Sequence, residues 1–319
     1  MSSVIFIQRG KVRSCGVASA CMLLLASAML AQHSEPGDDS GVFKAVAELV
    51  VVPVSVTDSH RNFVPGLTPA DRRLYEDGRL QKITAFHREN VPVTVGLILD
   101  HSRSMETKLR SVRAAVLSFA QSSNPEDEMF VVDFSDRVRS EIFRGKLFTN
   151  DVSELQNALA AVGAEGGTAL YDAIYQGLER LRVGHRNKKS LIIVSDGGDN
   201  ASQHKYHQVL AMAHQSEAVI YAIGLVGAPG EEEKPKILER LCKDTGGLAF
   251  FPHTLDPVHE VSNRIARDLR EQYTLAYAPD RKVSGDSFRK IDVKVSAPGH
   301  EKLHVRTRLG YSTAGLEAK

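Results

Sequence analysis

Pro92-Val93-Thr94-Val95-Gly96-Leu97-Ile98-Leu99-Asp100-His101-Ser102-Arg103-Ser104-Met105-Glu106 decides the fold of this chain. Val93 to Leu99 is apolar and rich in β-branched residues, the pattern of a strand buried on both faces. It stops at Asp100, and hydroxyls follow at Ser102 and Ser104 before an amphipathic helix starts near Met105. A carboxylate and two hydroxyls at the carboxyl end of a central strand lie where open α/β sheets take ligands. All three supply hard oxygen atoms, which suit Mg²⁺ or Mn²⁺ better than zinc.

Working outward, apolar strands alternate with segments of helical period. Helices are expected at Met105–Gln121, Val152–Val162, Leu170–Leu181, Tyr206–Gln215, Pro235–Lys243 and Pro257–Arg270. Strands are expected at Met129–Phe134, Ser190–Ser195, Val219–Leu225 and Leu248–Phe251, with an edge strand at Val138–Phe143. This alternation predicts an α/β fold, a doubly wound and mostly parallel sheet flanked by helices. The flanks read differently. Val42–Thr57, Leu74–Arg79 and Gln81–His87 are β-type, with Asp77-Gly78 as a hairpin turn that Gln81–His87 completes. Pro53 points to an edge strand or a bulge. Gln272–Ala278, Lys290–Ser296 and Lys302–Arg308 alternate as antiparallel strands, the last two joined by Pro298-Gly299. An isolated hairpin is marginal in water, so the two flanks are expected to pair into one small antiparallel β module.

The chain has 319 residues, a formal net charge of +1 and 25% charged residues. These values exclude a disordered chain and give no footprint for a nucleic-acid partner. Arg9, Lys11 and Arg13 precede the apolar, small-residue run Gly16–Ala31, the pattern of a secretory signal peptide. Cleavage is expected after Ala28 or Ala31, and location outside the cytoplasm, secreted or periplasmic, follows. The run is short beside the roughly 20 residues of a membrane span, so membrane attachment arises only if the segment stays uncleaved. The organisation expected is signal peptide 1–31, linker 32–41, N-terminal β segment 42–91, central domain 92–271, C-terminal β segment 272–312 and tail 313–319. Cys242 is the one cysteine beyond the signal, so no internal disulfide is expected.

Two more stretches complete the chemistry. Gly166-Gly167-Thr168-Ala169-Leu170-Tyr171-Asp172 is a glycine turn that offers a hydroxyl before a helix, and Leu191-Ile192-Ile193-Val194-Ser195-Asp196-Gly197 is a second apolar strand ending in a carboxylate. With Asp100-x-Ser102-x-Ser104 they resemble the metal-ion-dependent adhesion site (MIDAS) of von Willebrand factor type A (VWFA) domains. The resemblance implies that Ser102, Ser104 and Thr168 touch a divalent cation directly, while Asp100 and Asp196 act largely through water. It also implies a sheet order that makes Asp100 and Asp196 neighbours. A site built on hydroxyls leaves the cation electrophilic, able to take a carboxylate from a protein or peptide ligand.

The flanks resemble a narrower bacterial family, the secreted "VWFA-related" proteins best known from acidobacteria. The matching features are Val54-x-Val-Thr-Asp58, Gly66-Leu67-Thr68 with Glu76-Asp77-Gly78, Tyr273-Thr-Leu-x-Tyr277 and Arg308-x-Gly310-Tyr311. Two positions depart from the pattern: Arg72, where an aromatic is expected, and Arg103, where glycine is frequent.

The expected function is therefore metal-dependent binding of another macromolecule, not catalysis. Gly-x-Ser-x-Gly and Walker signatures are absent, and His259-Glu260 lacks a second histidine because position 263 is Asn263. Two alternatives stand: a metal-dependent phosphatase or hydrolase using Asp100 as nucleophile, and a structural domain that a metal stiffens. His204 and His207, one helical turn apart, read as a solvated face. Asp172 reads as support for its helix's first turn, and Asp199 and Asn200 as loop formers.

Overall fold

The computed structural model describes residues 49–313 except 89, 161–162, 226–234, 253, 255–257, 281–286 and 301. All of these belong to one compact unit, Ala47–Lys319. The expected signal peptide and linker lie outside the described residues, as does nearly all of the tail.

In chain order the elements are β1 (Val50–Thr57), β2 (Arg72–Glu76), β3 (Arg79–Gln81), β4 (Ile83–His87), β5 (Val93–Asp100), α1 (Leu109–Ser122), β6 (Glu128–Phe134) and β7 (Val138–Ser140). Then come α2 (Val152–Ala160), α3 (Leu170–Arg182), β8 (Lys188–Ser195), α4 (Tyr206–Gln215), β9 (Val219–Gly224), α5 (Pro235–Thr245), β10 (Ala249–Phe250) and α6 (Val258–Glu271). The chain closes with β11 (Tyr273–Tyr277), β12 (Phe288–Val295), β13 (His304–Thr307) and β14 (Gly310–Ser312).

The central sheet has the order β10-β9-β8-β5-β6-β7. Its strands are parallel except β7, which runs antiparallel at the edge. Every residue of β5 and β9 is buried, so both sheet faces are covered. One face packs on α1 and α6 through Val95, Leu97, Val116 and Ile265. The other packs on α3 and α4 through Ile98, Phe130, Ile174 and Val209. The chain runs from β5 to β6 on one side and later returns to place β8 on the other, so the order reverses at β5. That reversal opens a crevice at the carboxyl ends of β5 and β8. The first helix starts later than its periodicity suggests. Arg103–Met105 makes one 3-10 turn, and α1 begins only at Leu109, because the serine loop comes between strand and helix.

Strands from the two flanks pair with each other, in two sheets rather than one. One sheet has the order β13-β1-β11-β4 and the other β14-β12-β2-β3. They share one core, including Val52, Val54, Leu74, Tyr273, Leu275 and Ile291. Two local expectations need correction. β2 and β3 form the hairpin through Asp77 and Gly78, both at positive φ, but β4 leaves that hairpin and pairs with β11. Likewise β12 and β13 do not pair across Pro298-Gly299; β12 joins β2 and β13 joins β1. Alternation tells which residues face a core, not which strand lies alongside. Pro53 lies within β1, opposite Thr274, and pairing with β13 begins only at Val54, which leaves one side of β1 open at the proline.

Three of the flank motifs, those carrying Glu76, Tyr277 and Tyr311, meet at one buried carboxylate. Glu76 Oε1 accepts from Arg289 at 2.6 Å, and Oε2 accepts from Tyr277 at 2.6 Å and Tyr311 at 2.9 Å. A second tie joins the module to the central domain. Asp268 of α6 accepts from Arg306 (2.6 and 2.5 Å), Tyr221 (2.5 Å) and Ser55 (3.2 Å). At Arg72 a cation fills the slot where an aromatic is expected: its guanidinium lies over the Phe86 ring and donates to Thr68 O at 2.5 Å. Burial lowers its pKa to about 10.

Because Glu76 holds a buried cation and two buried hydroxyls, Glu76→Gln is expected to destabilise the protein by about 3 kcal/mol in urea unfolding. A loss below about 0.5 kcal/mol, the scale of an ordinary surface change, would contradict this role.

Candidate functional site

Asp100 ends β5 with its side chain fully buried. Its Oδ1 accepts the Ser102 backbone N–H at 2.9 Å and its Oδ2 accepts the Ser195 hydroxyl at 2.6 Å. Burial pushes its pKa up to about 6, against the lowering effect of these hydrogen bonds, and the nearby Asp196 charge adds to the rise. The bond to Ser102 folds the chain back so that both serine hydroxyls face the β8 loop. Ser102 Oγ and Ser104 Oγ lie 3.1 Å apart, and Ser104 Oγ donates to Asp196 Oδ2 at 2.5 Å. Asp196 Oδ1 in turn accepts the Gly198 N–H at 3.2 Å.

Thr168 comes from a separate loop, which is tied to both others. Glu165 N–H donates to His101 O at 2.9 Å and Arg103 N–H to Gly166 O at 3.4 Å. On the β8 side, Asn200 Oδ1 accepts the Thr168 N–H at 2.8 Å, while Thr168 O accepts from the N–H groups of Asn200 and Ala201. The two glycines are required here. Gly166 has φ +70°, and a Cβ on Gly167 would stand 2.7 Å from Asn200 Oδ1. Thr168 itself is buried.

These five residues therefore sit on three loops at one end of the sheet; Asp100, Ser102, Ser104 and Asp196 are joined by direct hydrogen bonds, and Thr168 is held through Asn200. The donor set consists of oxygen atoms alone, with two carboxylates and three hydroxyls. Hydroxyl oxygens 3.1 Å apart match adjacent corners of an octahedron whose metal–oxygen distance is about 2.1 Å. The residues present thus fit a small divalent cation. Among the described residues no three His, Cys, Asp or Glu side chains gather as a metal site.

Neighbouring residues keep some of the roles expected of them and add others. Asp172 stands in the first turn of α3, as expected, and also holds the loop before α4, accepting the N–H groups of Gln203 and His204 and the His204 ring at 2.7 Å. His204 also stacks on Tyr175, with centroids 4.1 Å apart. It lies before α4, so it shares no helix face with His207. Asp199 accepts from Ser202 Oγ and the Tyr171 N–H, the loop-forming role expected of it. Asn200 does more, because it fixes Thr168. Ser195 was not among the predicted site residues, although it orients Asp100 and accepts the Gly197 N–H. A lone hydroxyl ending the apolar run Leu191–Val194 was the available signal, since a buried hydroxyl needs a partner.

Comparison with known proteins agrees with the fold of the central domain. Residues 95–198 match the family model of the von Willebrand factor type A domain. An uncharacterized protein of Synechocystis sp. (strain ATCC 27184 / PCC 6803 / Kazusa) is 22% identical over 177 residues, 54% of this chain and 41% of that protein. The chain thus spans about two fifths of that relative's length. The von Willebrand factor type A structure from Catenulispora acidiphila superposes over 84% of this chain and 75% of its own, with TM-score 0.51 and 12% identity. The PilB minor pilin of Streptococcus sanguinis superposes over 60% of this chain and 64% of its own, with TM-score 0.45 and 11% identity. Residues 95–198 thus match the von Willebrand factor type A domain, the central sheet has the fold of such domains, and the flanks add two antiparallel sheets.

In metal-free protein the Asp100 carboxyl is expected to titrate near pH 6 by ¹³C NMR. Ser195→Ala removes a hydrogen bond to the ionised form, so it should move that midpoint higher. A midpoint near the ordinary aspartate value of about 4 would contradict the burial argument.

Proposed function

We propose that this protein binds another macromolecule through a divalent cation, Mg²⁺ or Mn²⁺, held by Ser102, Ser104 and Thr168, with Asp100 and Asp196 orienting bound water. The observation that carries this reading is the continuous oxygen chain Ser102–Ser104–Asp196 across the mouth of the crevice, with Thr168 locked beside it by Asn200. When bound, the ion supplies an electrophilic position for a carboxylate of a protein or peptide partner. Asp100 holds the serine loop through the Ser102 N–H, and Asn200 holds the threonine loop. Ser104 is exposed, so partner groups have access from solvent.

A hydrolase with Asp100 as nucleophile fits poorly. Both carboxylate oxygens of Asp100 are engaged, and the side chain has no solvent-accessible surface. The charged run before Gly16–Ala31 supports a place in the cell envelope or outside the cell. Among the described residues no helix is long and apolar enough to cross a membrane.

Calorimetric titration tests the ion. Asp100→Ala should abolish Mg²⁺ and Mn²⁺ binding, and Thr168→Ala should weaken it about tenfold, because water can replace one ligand. Affinity should fall as pH drops through 6, since the proton and the cation compete for the buried carboxylate. Equal affinity in wild type and Asp100→Ala would refute the site. Capture of an envelope-extract partner that survives chelator would refute its role, and phosphatase activity lost in Asp100→Ala would favour the hydrolase.

A further inference from the structure

A second charged surface lies along α6, away from the site around Asp100. A cleft of about 1050 Å³ opens between α6 and the loop that follows β1, with β13 as part of its wall. Its lining includes Leu248, which precedes β10, and Glu271, the last residue of α6. The cleft shares no lining residue with the site around Asp100, which stands at the carboxyl end of β5. Arg61 approaches from the β1 loop, and Arg264 and Arg267 approach from α6. All three are exposed, and among the described residues none has a carboxylate partner. Arg306, at the base, is already committed to Asp268. Glu271 is the one lining carboxylate left over, so the cleft carries a surplus of positive charge although the chain's net charge is only +1.

The loop carrying Arg61 is built for its position. Asp58 accepts the N–H groups of His60 and Asn62, each at 2.8 Å, and Asp58 N–H donates to Asn62 O at 2.9 Å. Arg61 holds φ +64°, a left-handed conformation that side chains other than Asn or Asp seldom take. A strained arginine on a fixed loop opposite two arginines without carboxylate partners, of which Arg264 lies over the Phe250 ring, suggests a function rather than a solvated charge.

We propose that this cleft binds an acidic peptide segment, without metal, through Arg61, Arg264 and Arg267. Guanidinium groups take carboxylates in paired hydrogen bonds, and clusters of them recognise acidic motifs. The volume exceeds what a single small anion needs and is at the upper end for compact ligands. Ser59, Asn62 and Thr57 line the wall and offer partners for peptide N–H and C=O groups. The near-neutral net charge and the carboxylates of Asp268 and Glu271 disfavour a nucleic acid or a densely sulfated glycan.

The test is fluorescence anisotropy in EDTA with a labelled peptide of alternating Glu and Ser, against its Gln/Ser counterpart. EDTA empties the cation site, so this experiment and the proposal above fail independently. Wild type should bind the Glu peptide about tenfold more tightly than the Gln peptide, and R264E/R267E should lose that difference. Binding should weaken as salt is raised from about 0.05 to about 0.5 M. Arg61→Ser, on the opposite wall, should weaken it about threefold and provides the test if the double variant does not fold. Unchanged binding in both variants would overturn the proposal, as would loss of binding in EDTA. Heparin or a single-stranded oligonucleotide binding more tightly than the Glu peptide, with the same variant dependence, would overturn the peptide assignment in favour of a polyanion.

Discussion

The structure of the site depends on one buried carboxylate. Asp100 receives the Ser102 N–H from its own loop and the Ser195 hydroxyl from the neighbouring strand. Those two bonds set the path of the serine loop and lock the ends of β5 and β8 together. A buried acid in such a place resists ionisation, and burial raises its pKa to about 6. A cation nearby would reverse that preference, so the electrostatics of the metal-free site already favour taking up positive charge. In the proposed reading the carboxylate stands behind the ion and the hydroxyls in front of it.

A different polar device joins the added sheets to the domain. Asp268 leaves α6 to meet Arg306 from β13, Ser55 from β1 and Tyr221 from β9. Gln272 then donates to the Tyr221 hydroxyl at 2.9 Å, at the point where α6 passes into β11. No free linker separates helix from strand there, because α6 ends at Glu271 and β11 begins at Tyr273. Inside the module, Glu76 plays the corresponding part, collecting Arg289, Tyr277 and Tyr311. Both clusters pair a carboxylate with an arginine and tyrosine hydroxyls, which satisfies charges that burial would otherwise make costly.

The sequence was most legible where burial is strongest. Val93–Leu99 and Leu191–Val194 admit only one reading, since strands covered on both faces must be continuously apolar. The α4 boundaries Tyr206 and Gln215 agree with the helical period, and the positions of Asp100, Ser102, Ser104 and Asp196 follow from strand ends. Strand partnership in the flanks was not legible. β4 and β13 look like arms of hairpins, yet each finds a partner distant in sequence, because alternation specifies a face and not a neighbour. Side chains that act through others were also hidden. Ser195 and Asn200 belong to no spacing rule, and only their bonds to Asp100 and Thr168 give them away. At Arg72 the chain substitutes a cation over a ring for an aromatic pair, an exchange that composition does not announce.

The central claim is spatial: one small cation belongs between the three hydroxyls, not elsewhere on the molecule. Anomalous diffraction from crystals soaked in Mn²⁺ tests it most directly. The account predicts one dominant peak within about 2.2 Å of the Ser102, Ser104 and Thr168 hydroxyl oxygens, with Asp100 and Asp196 reached through water. Full occupancy at another position, with no peak between these hydroxyls, would contradict it.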